Sequence, residues 1–372
     1  MGNQSYDRPT KKPKLTYYHE QYGDTAHSDS FNSITADDIN ERIPVFADTD
    51  AGRRPDMPPS NGYMPREATF EDYSKELSTF FKMKFERGIL ESRAHTDGDS
   101  LIWSLPCHAH VHKMFEYVNN DRDVEVMIFG GTGKDFFKSI GIHGGCCDTT
   151  HPYAPMPDDD PDYHWRSYER SYFDGTADIQ YQNDLPIPLI TVWNGGLFHS
   201  DLVLYSDITL ATEDAWTTEQ HFRINMIPGD GVQIAWRELM GRKRFSYAEL
   251  TGEVITARKA LEYGMVNEIH EDVEACYKRA WEIADLIMHT GTRQTRRLTV
   301  QVLRRPWKKD IADELHDMFA VEMWNDVTEH SPHHPIYWEA SKAQARATIE
   351  AEKKGKVVYP RLGEFVEETP IK

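Results

Sequence analysis

The segment IPLITVWNGG, residues 187–196, decides the fold. A continuous apolar run of strand length that stops in Asn-Gly-Gly reads as a buried strand feeding a tight loop. The same pattern occurs upstream in VEVMIFGG, 124–131, and DITLA at 207–211 supplies a third buried run. Upstream again, FFKMKFERGILESRA (80–94) alternates Phe81, Met83 and Phe85 before a Glu-Arg-Gly turn and predicts a hairpin. After SLIW (100–103), a helix beginning near Pro106 sets Val111, Phe115 and Val118 on one face. From Gly231 onward the pattern is helical. Short stretches VQIAWREL, SYAELTG and TARKALEYG each stop at a glycine, and longer helices follow at 272–289, 293–304 and 310–329. Strands interleaved with helices and closed by glycine loops predict an α/β architecture with its site at the strand ends.

The 372 residues carry 61 acidic against 42 basic side chains, a formal charge of −19, which disfavours a nucleic-acid or anionic-membrane partner. Mean hydropathy is −0.66, so part of the chain must lie outside the apolar core. Residues 1–69 read as an N-terminal extension: PDMPPSNGYMP (55–65) sustains neither a helix nor a central strand. Tyr17, Tyr18, Tyr22, Phe31 and Phe46 suit an arm that wraps over its own subunit or a neighbour. Residues 70–270 then form the core, 271–345 a C-terminal helical region and 346–372 a tail, while the Pro- and Asp-rich stretch 151–165 reads as a surface loop. Four cysteines, two of them adjacent at Cys146 and Cys147, fit a reducing cytosol, and a cytoplasmic location is expected. No secretory leader or membrane-spanning run is legible, and KKPK at 11–14 reads as part of a solvated tail.

Several motifs bear chemistry. GGTGKDFF (130–137) lacks the second glycine and Lys-Ser or Lys-Thr of a phosphate loop, so it reads as backbone shaping a pocket. In HAHVH only His108 and His112, four apart on a helix, could share an ion, and no third zinc ligand is evident from spacing. QHFRINMIPGDG sets His221 nine residues before Asp230, in a turn that can fold the carboxylate back onto the imidazole to activate water; a plain helix cap is the bland reading of Asp230. His199, in HSDL, follows a strand end where sites tend to lie. Glu322 falls on the apolar stripe of Ile311, Leu315, Met318 and Phe319, at a helix edge or in a pocket that raises its pKa.

Taken in order, IPLITVWNGG, SDITLATEDA (206–215) and GDGVQIAWRELMGRKRFSYAELTGEVITARKALEYGMVNEI (229–269) resemble the crotonase, or enoyl-CoA hydratase/isomerase, superfamily. Within it the chain looks most like the carbon-carbon bond β-diketone hydrolases, over about residues 80–330. The resemblance implies an α/β ββα-spiral core with a C-terminal helical trimerisation region, self-association as a trimer or a dimer of trimers, and no metal or organic cofactor. It also implies that His221 and Asp230 form the water-activating dyad, that Glu322 is an active-site glutamate, and that His199 and Trp103 hold the carbonyl that becomes an enolate. His108 and Phe136 match pocket positions. Gly141 stands where that pattern has an acidic residue, and the resemblance does not extend to the first 70 residues or the 151–165 loop.

The expected activity is therefore retro-Claisen hydrolysis of a non-activated, cyclic 1,3-diketone to a keto acid. Its partners would be that small molecule and other copies of the chain, with no nucleic acid and no membrane. Basic positions for the nucleotide of a coenzyme A thioester are not evident in the sequence, which weighs against a thioester substrate. The alternatives are a hydratase, isomerase, decarboxylase or cyclase using the same enolate-stabilising pocket, or a non-catalytic scaffold.

Overall fold

The hairpin forms as the sequence requires. Strands β1 (Phe81–Glu86) and β2 (Ile89–Ala94) pair antiparallel, and Arg87 and Gly88 both adopt positive φ, 53° and 79°, at the two-residue connection. In this computed structural model residues 68–103, 105–140, 163–329, 334–360 and 366–368 are described, all within the compact unit Phe46–Lys372. Gly141, Cys146, Cys147, most of the 151–165 loop and all but the end of the N-terminal arm lie outside them. The described start of the helix Tyr163–Asp184 takes up the last three residues assigned to that loop.

The hairpin opens a six-stranded sheet that continues through β4 (Val126–Gly131), β6 (Leu189–Trp193), β8 (Ile208–Thr212) and β11 (Glu268–His270), parallel from β2 onward; outside it lie the short strands β3 (Leu101–Trp103), β5 (Phe137–Ile140), β7 (Gly196–Leu197), β9 (Trp216–Thr217) and β10 (Ile255–Thr256). The three apolar runs of the sequence become β4 (Val126–Gly131), β6 (Leu189–Trp193) and β8 (Ile208–Thr212). Strand alternation splits their side chains between two cores. Val126, Ile128, Ile190, Val192 and Leu210 face the helix Val273–Thr290 through Tyr277, Ala280 and Ala284. Met127, Phe129, Leu189 and Trp193 face the larger core, with Phe115, Trp236 and Leu315. Gly131 closes β4 because a Cβ there would lie 2.4 Å from Asn194 Oδ1; only glycine lets the two loops beyond β4 and β6 meet.

Two short strands interrupt the stretch read as wholly helical. Ile255–Thr256 pairs with Trp216–Thr217, and β11 (Glu268–His270) adds the sixth strand, parallel to β8. Strands of two or three residues are too short to display a period of two, so the preceding helical pattern masks them. The helices themselves fall where expected, at Val232–Met240, Arg242–Thr251, Ala257–Tyr263, Val273–Thr290 and Arg293–Leu303. The last expected helix is compound: a π turn, Ile311–Leu315, joins Arg305–Asp310 to His316–Glu329. The helix His334–Lys353 runs through residue 345, the limit read from sequence for the helical region.

Arg304 fastens the helical region to the sheet. Its buried guanidinium grips the Asp207 carboxylate through two nitrogens and donates to the carbonyls of Leu185 (2.6 Å) and Ile187 (2.9 Å). Asp207 in turn accepts the Leu189 N–H at 2.8 Å, so one ion pair sets the start of both β6 and β8.

Candidate active site

His199, His221 and Asp230 sit where the chain leaves or rejoins regular structure. His199 follows the two-residue strand Gly196–Leu197, after the glycine loop of β6, and precedes the one-turn helix Asp201–Leu204. His221 opens a 3-10 turn, His221–Ile224. Asp230 precedes Gly231, whose φ of 105° begins the helix Val232–Met240, and Asp230 Oδ1 accepts the Val232 N–H at 3.1 Å. The N-cap position itself is Gly231, so Asp230 stands one residue before the place the bland reading gives it, and its two oxygens turn to different neighbours. One meets the helix start, and the other, Oδ2, stands 3.8 Å from His221 Nε2 and 3.5 Å from His199 Nδ1.

Glu322 reaches the same imidazole from the C-terminal helices. Its Oε1 is 3.6 Å from His221 Nε2, and its Oε2 accepts the Gly229 N–H at 2.7 Å. The approach depends on Gly229, where a Cβ would lie 2.2 Å from the Met318 carbonyl oxygen. The expected stripe continues through buried Ile311, Leu315, Phe319 and Glu322, but Met318 turns outward and Met323 takes a buried place.

Behind these groups lie three rings in mutual contact, the indole edge-on to one imidazole and tilted against the other. Trp103, ending the strand Leu101–Trp103, has its centroid 4.6 Å from that of His199 and 5.1 Å from that of His108; the two imidazoles are 6.1 Å apart. Phe136 stands one step back: it packs on Phe129 and Phe137, and Phe137, like Phe198, meets Trp103 edge to face, at 5.4 and 6.2 Å respectively. The site thus gathers Trp103, His108, His199, His221, Asp230 and Glu322 into one cluster, with Phe136 supporting it through Phe137.

Three carboxyls that sequence reading passed over complete the surroundings. Glu219 Oε1 contacts His221 Nδ1 directly and accepts the His221 backbone N–H at 2.9 Å. Asp201 Oδ1 lies 3.4 Å from His199 Nδ1, and Asp178 Oδ2 lies 3.2 Å from His108 Nε2. For Glu219 and Asp201 a faint signal exists: each stands two residues from a histidine, in Glu-Gln-His and His-Ser-Asp.

Burial opposes charge on every one of these groups, so their states depend on which neighbours offset it. Burial works against the His221 imidazolium, but Glu219, Glu322 and Asp230 outweigh it and hold its pKa well above the ordinary range. Glu219 is kept below its usual range because His221 overcomes the cost of burial. Burial and the charge of Glu322 push Asp230 up to about 7 against the pull of His221. His199 is raised because Asp201 and Asp230 prevail over its burial. His108 is driven down to about 3 by burial and by the neighbouring histidines, and burial with Asp201 and Asp174 lifts Asp178 well above its usual range, so that pair rests neutral.

Among the described residues, His199–Asp201–Asp230 and His221–Asp230–Glu322 are the groups whose ligand atoms lie close enough to share a cation. His108 and His112, the one pair of that tract whose spacing could share an ion, are not among them: His112 turns its Nδ1 to Asp174, 3.7 Å away.

A sheet parallel from β2 onward with glycine-closed strand ends, carrying a buried cluster of imidazoles and carboxyls beyond them, makes this an α/β protein with the groups for acid–base chemistry gathered at one place. The chain belongs to the Enoyl-CoA hydratase/isomerase family, whose sequence signature matches residues 104–330. Among solved structures it is similar to a β-diketone hydrolase from the cyanobacterium Anabaena sp. PCC 7120, bound to (S)-3-oxocyclohexyl acetic acid: 28% identity, TM-score 0.61, covering 72% of this chain and 100% of that one. An enoyl-CoA hydratase/isomerase from Mycobacterium paratuberculosis shares the fold at 20% identity and TM-score 0.55, over 68% of this chain and 95% of that one. The probable peroxisomal enoyl-CoA hydratase 1 of Arabidopsis thaliana is 27% identical over 180 residues, 47% of this chain, which spans 60% of that relative's length. No helix among the described residues is long and apolar enough to cross a membrane.

Proposed function

We propose that the protein hydrolyses a carbon-carbon bond of a cyclic 1,3-diketone. The observation that carries this reading is the facing of His221 Nε2 by two carboxyls, 3.6 and 3.8 Å away, beside the Trp103–His199–His108 ring cluster. Separations of that size are ones a shared water bridges. Water gives one proton to neutral His221 Nε2 while its oxygen bonds to a carbonyl carbon. Collapse of the adduct breaks the bond to the carbon between the carbonyls and leaves the electron pair on an enolate. Donors from His199 and Trp103 meet the enolate oxygen, each worth on the order of 3 kcal/mol. The proton then passes to the α-carbon, and one water is fully incorporated into the keto acid. Glu322 and Asp230, flanking the nitrogen that changes protonation, are the groups through which that proton moves. The ligand named for the Anabaena hydrolase, itself a ketone with a carboxylic acid, is of the product type this reaction releases.

One observation favours a second reading. Lys134, Lys342, Arg346 and Lys353 line a cavity of about 300 Å³ with Trp216 and Ile349, interleaved with Asp135, Asp214 and Glu350, so basic positions not evident in the sequence are brought together by the fold. They would suit the phosphates of a coenzyme A thioester and a hydration reaction. Incubating the protein with cyclic 1,3-diketones in ¹⁸O-labelled water separates the two readings. Diketone cleavage places label in a new carboxylate; turnover of an enoyl thioester with label in an alcohol, and none of any diketone, would replace the first reading with the second.

A further inference from the structure

The two nitrogens of His221 have different partners. Nε2 is faced by Asp230 and Glu322 across 3.8 and 3.6 Å, whereas Nδ1 is in direct contact with Glu219. The same Glu219 oxygen accepts the His221 backbone N–H at 2.9 Å, so main chain and ring of one residue converge on a single buried atom. A carboxylate that orients a histidine base occupies the nitrogen that keeps its proton and leaves the other free to take one. Asp230 is on the wrong nitrogen for that task. It faces Nε2, and the same oxygen turns toward His199.

We propose that Glu219, rather than Asp230, is the positioning residue of His221. It holds the proton on Nδ1, turns the Nε2 lone pair toward Asp230 and Glu322, and stabilises the imidazolium left when water yields its proton. The assignment rests on the reading of His221 as the base. Other ionisable groups around the pair are Glu249 from the helix Arg242–Thr251, Glu322 from His316–Glu329, Asp230 and His199. Burial and the charge of Glu219 lift Glu249 to about 8, so at neutral pH it stays uncharged and leaves Glu219 the ionised partner.

The test uses the full chain and its variants Glu219→Gln, Glu219→Asp and Asp230→Asn. ¹⁵N NMR of the histidine rings follows the His221 titration, alongside the pH dependence of kcat/KM for diketone cleavage. Glu219→Gln keeps an oxygen for the backbone N–H but lowers the basicity of the ring. Its His221 titration and the ascending limb of kcat/KM should both move to lower pH. The plateau should fall by about 10²-fold, within the range general-base catalysis supplies, and KM should change little. Glu219→Asp should recover part of the loss, whereas Asp230→Asn should leave the Nδ1 proton in place. A His221 titration unmoved in Glu219→Gln, or a rate lowered equally at every pH, overturns the proposal while the hydrolase reading stands. Failure of the unmodified chain to cleave any diketone removes the base role, and the proposal with it.

Discussion

Replacing Asp230 by Asn should make the folded protein more stable above neutral pH while removing its activity. Asp230 is buried, and burial together with Glu322 raises it from an ordinary 3.8 to about 7. A carboxyl whose folded pKa lies above its unfolded pKa favours folding in its protonated form. That contribution is complete below about pH 4 and is lost as pH rises toward 7. About three units at 1.36 kcal/mol each give a cost of roughly 4 kcal/mol above neutrality, with the attraction of His221 already included. Halving it for relaxation of the surroundings leaves roughly 2 kcal/mol, or about 3 °C in Tm at an unfolding entropy of about 2.1 cal/mol/K per residue over roughly 300 residues.

Asparagine retains an oxygen to accept the Val232 N–H and cannot ionise, so the hydrogen bond at the helix start survives while the pH-dependent cost disappears. Urea denaturation followed by tryptophan fluorescence, at fixed protein concentration between pH 4 and pH 9, measures the difference. The two proteins should agree within about 0.5 kcal/mol at pH 4 and diverge steadily to pH 7, with the variant the more stable. A gap that is flat with pH, or a less stable variant at pH 8, would refute the assignment of Asp230 as a strained buried acid.

Other consequences are open to direct measurement. His221→Ala should abolish diketone cleavage with unchanged circular dichroism and solution mass; retained turnover would remove His221 as the base. Because the carboxyls around His221 hold its proton tightly, kcat/KM should climb with pH above neutrality, and a profile flat from pH 6 to pH 9 would contradict the site electrostatics. Glu322→Gln should alter that profile, and an identical one would take Glu322 off the proton path. Arg304→Met leaves the Asp207 carboxylate buried without its cation and should cost about 3–5 kcal/mol in chemical denaturation; a loss under 1 kcal/mol would show that the pair does not fasten the sheet.

The fold was legible wherever a physical period is long enough to be seen. The three buried strands, the hairpin turn at Arg87-Gly88 and the helices after Gly231 each span several repeats or carry a glycine stop. The strands 255–256 and 268–270 do not, and only their partners reveal them. In the site, His199, His221, Asp230 and Glu322 were found through the loops and the stripe that present them. Glu219 and Asp201 were not, because in irregular backbone a separation of two residues does not set the direction of a side chain. Asp178 was hidden differently: it lies within a helix, 70 positions from His108, and only packing of the helices Leu105–Asn120 and Tyr163–Asp184 brings the two together. The basic cavity has the same origin. Lys134 and Lys342 are separated by most of the fold, and the helix bearing Lys342 is tied to the region after β4 by its ammonium, which donates to the Lys138 carbonyl at 2.7 Å.

The distribution of charge inside the site follows from what burial permits. Asp178, Asp201, Glu219, Asp230 and Glu322 surround three imidazoles, and a buried region of that composition cannot carry all its charges at once. His108 and Asp178 become neutral together, which removes one potential ion pair from the low-dielectric interior. Glu219 and His221 remain charged together because their direct contact offsets the desolvation of both. Asp230 is left with neither solution: its carboxylate has Glu322 as a like-charged neighbour and only distant imidazoles, so it is poised to change protonation near neutral pH. A group so placed between His221 and His199 suits the transfer of a proton from attacking water toward an enolate better than it suits holding one ring still.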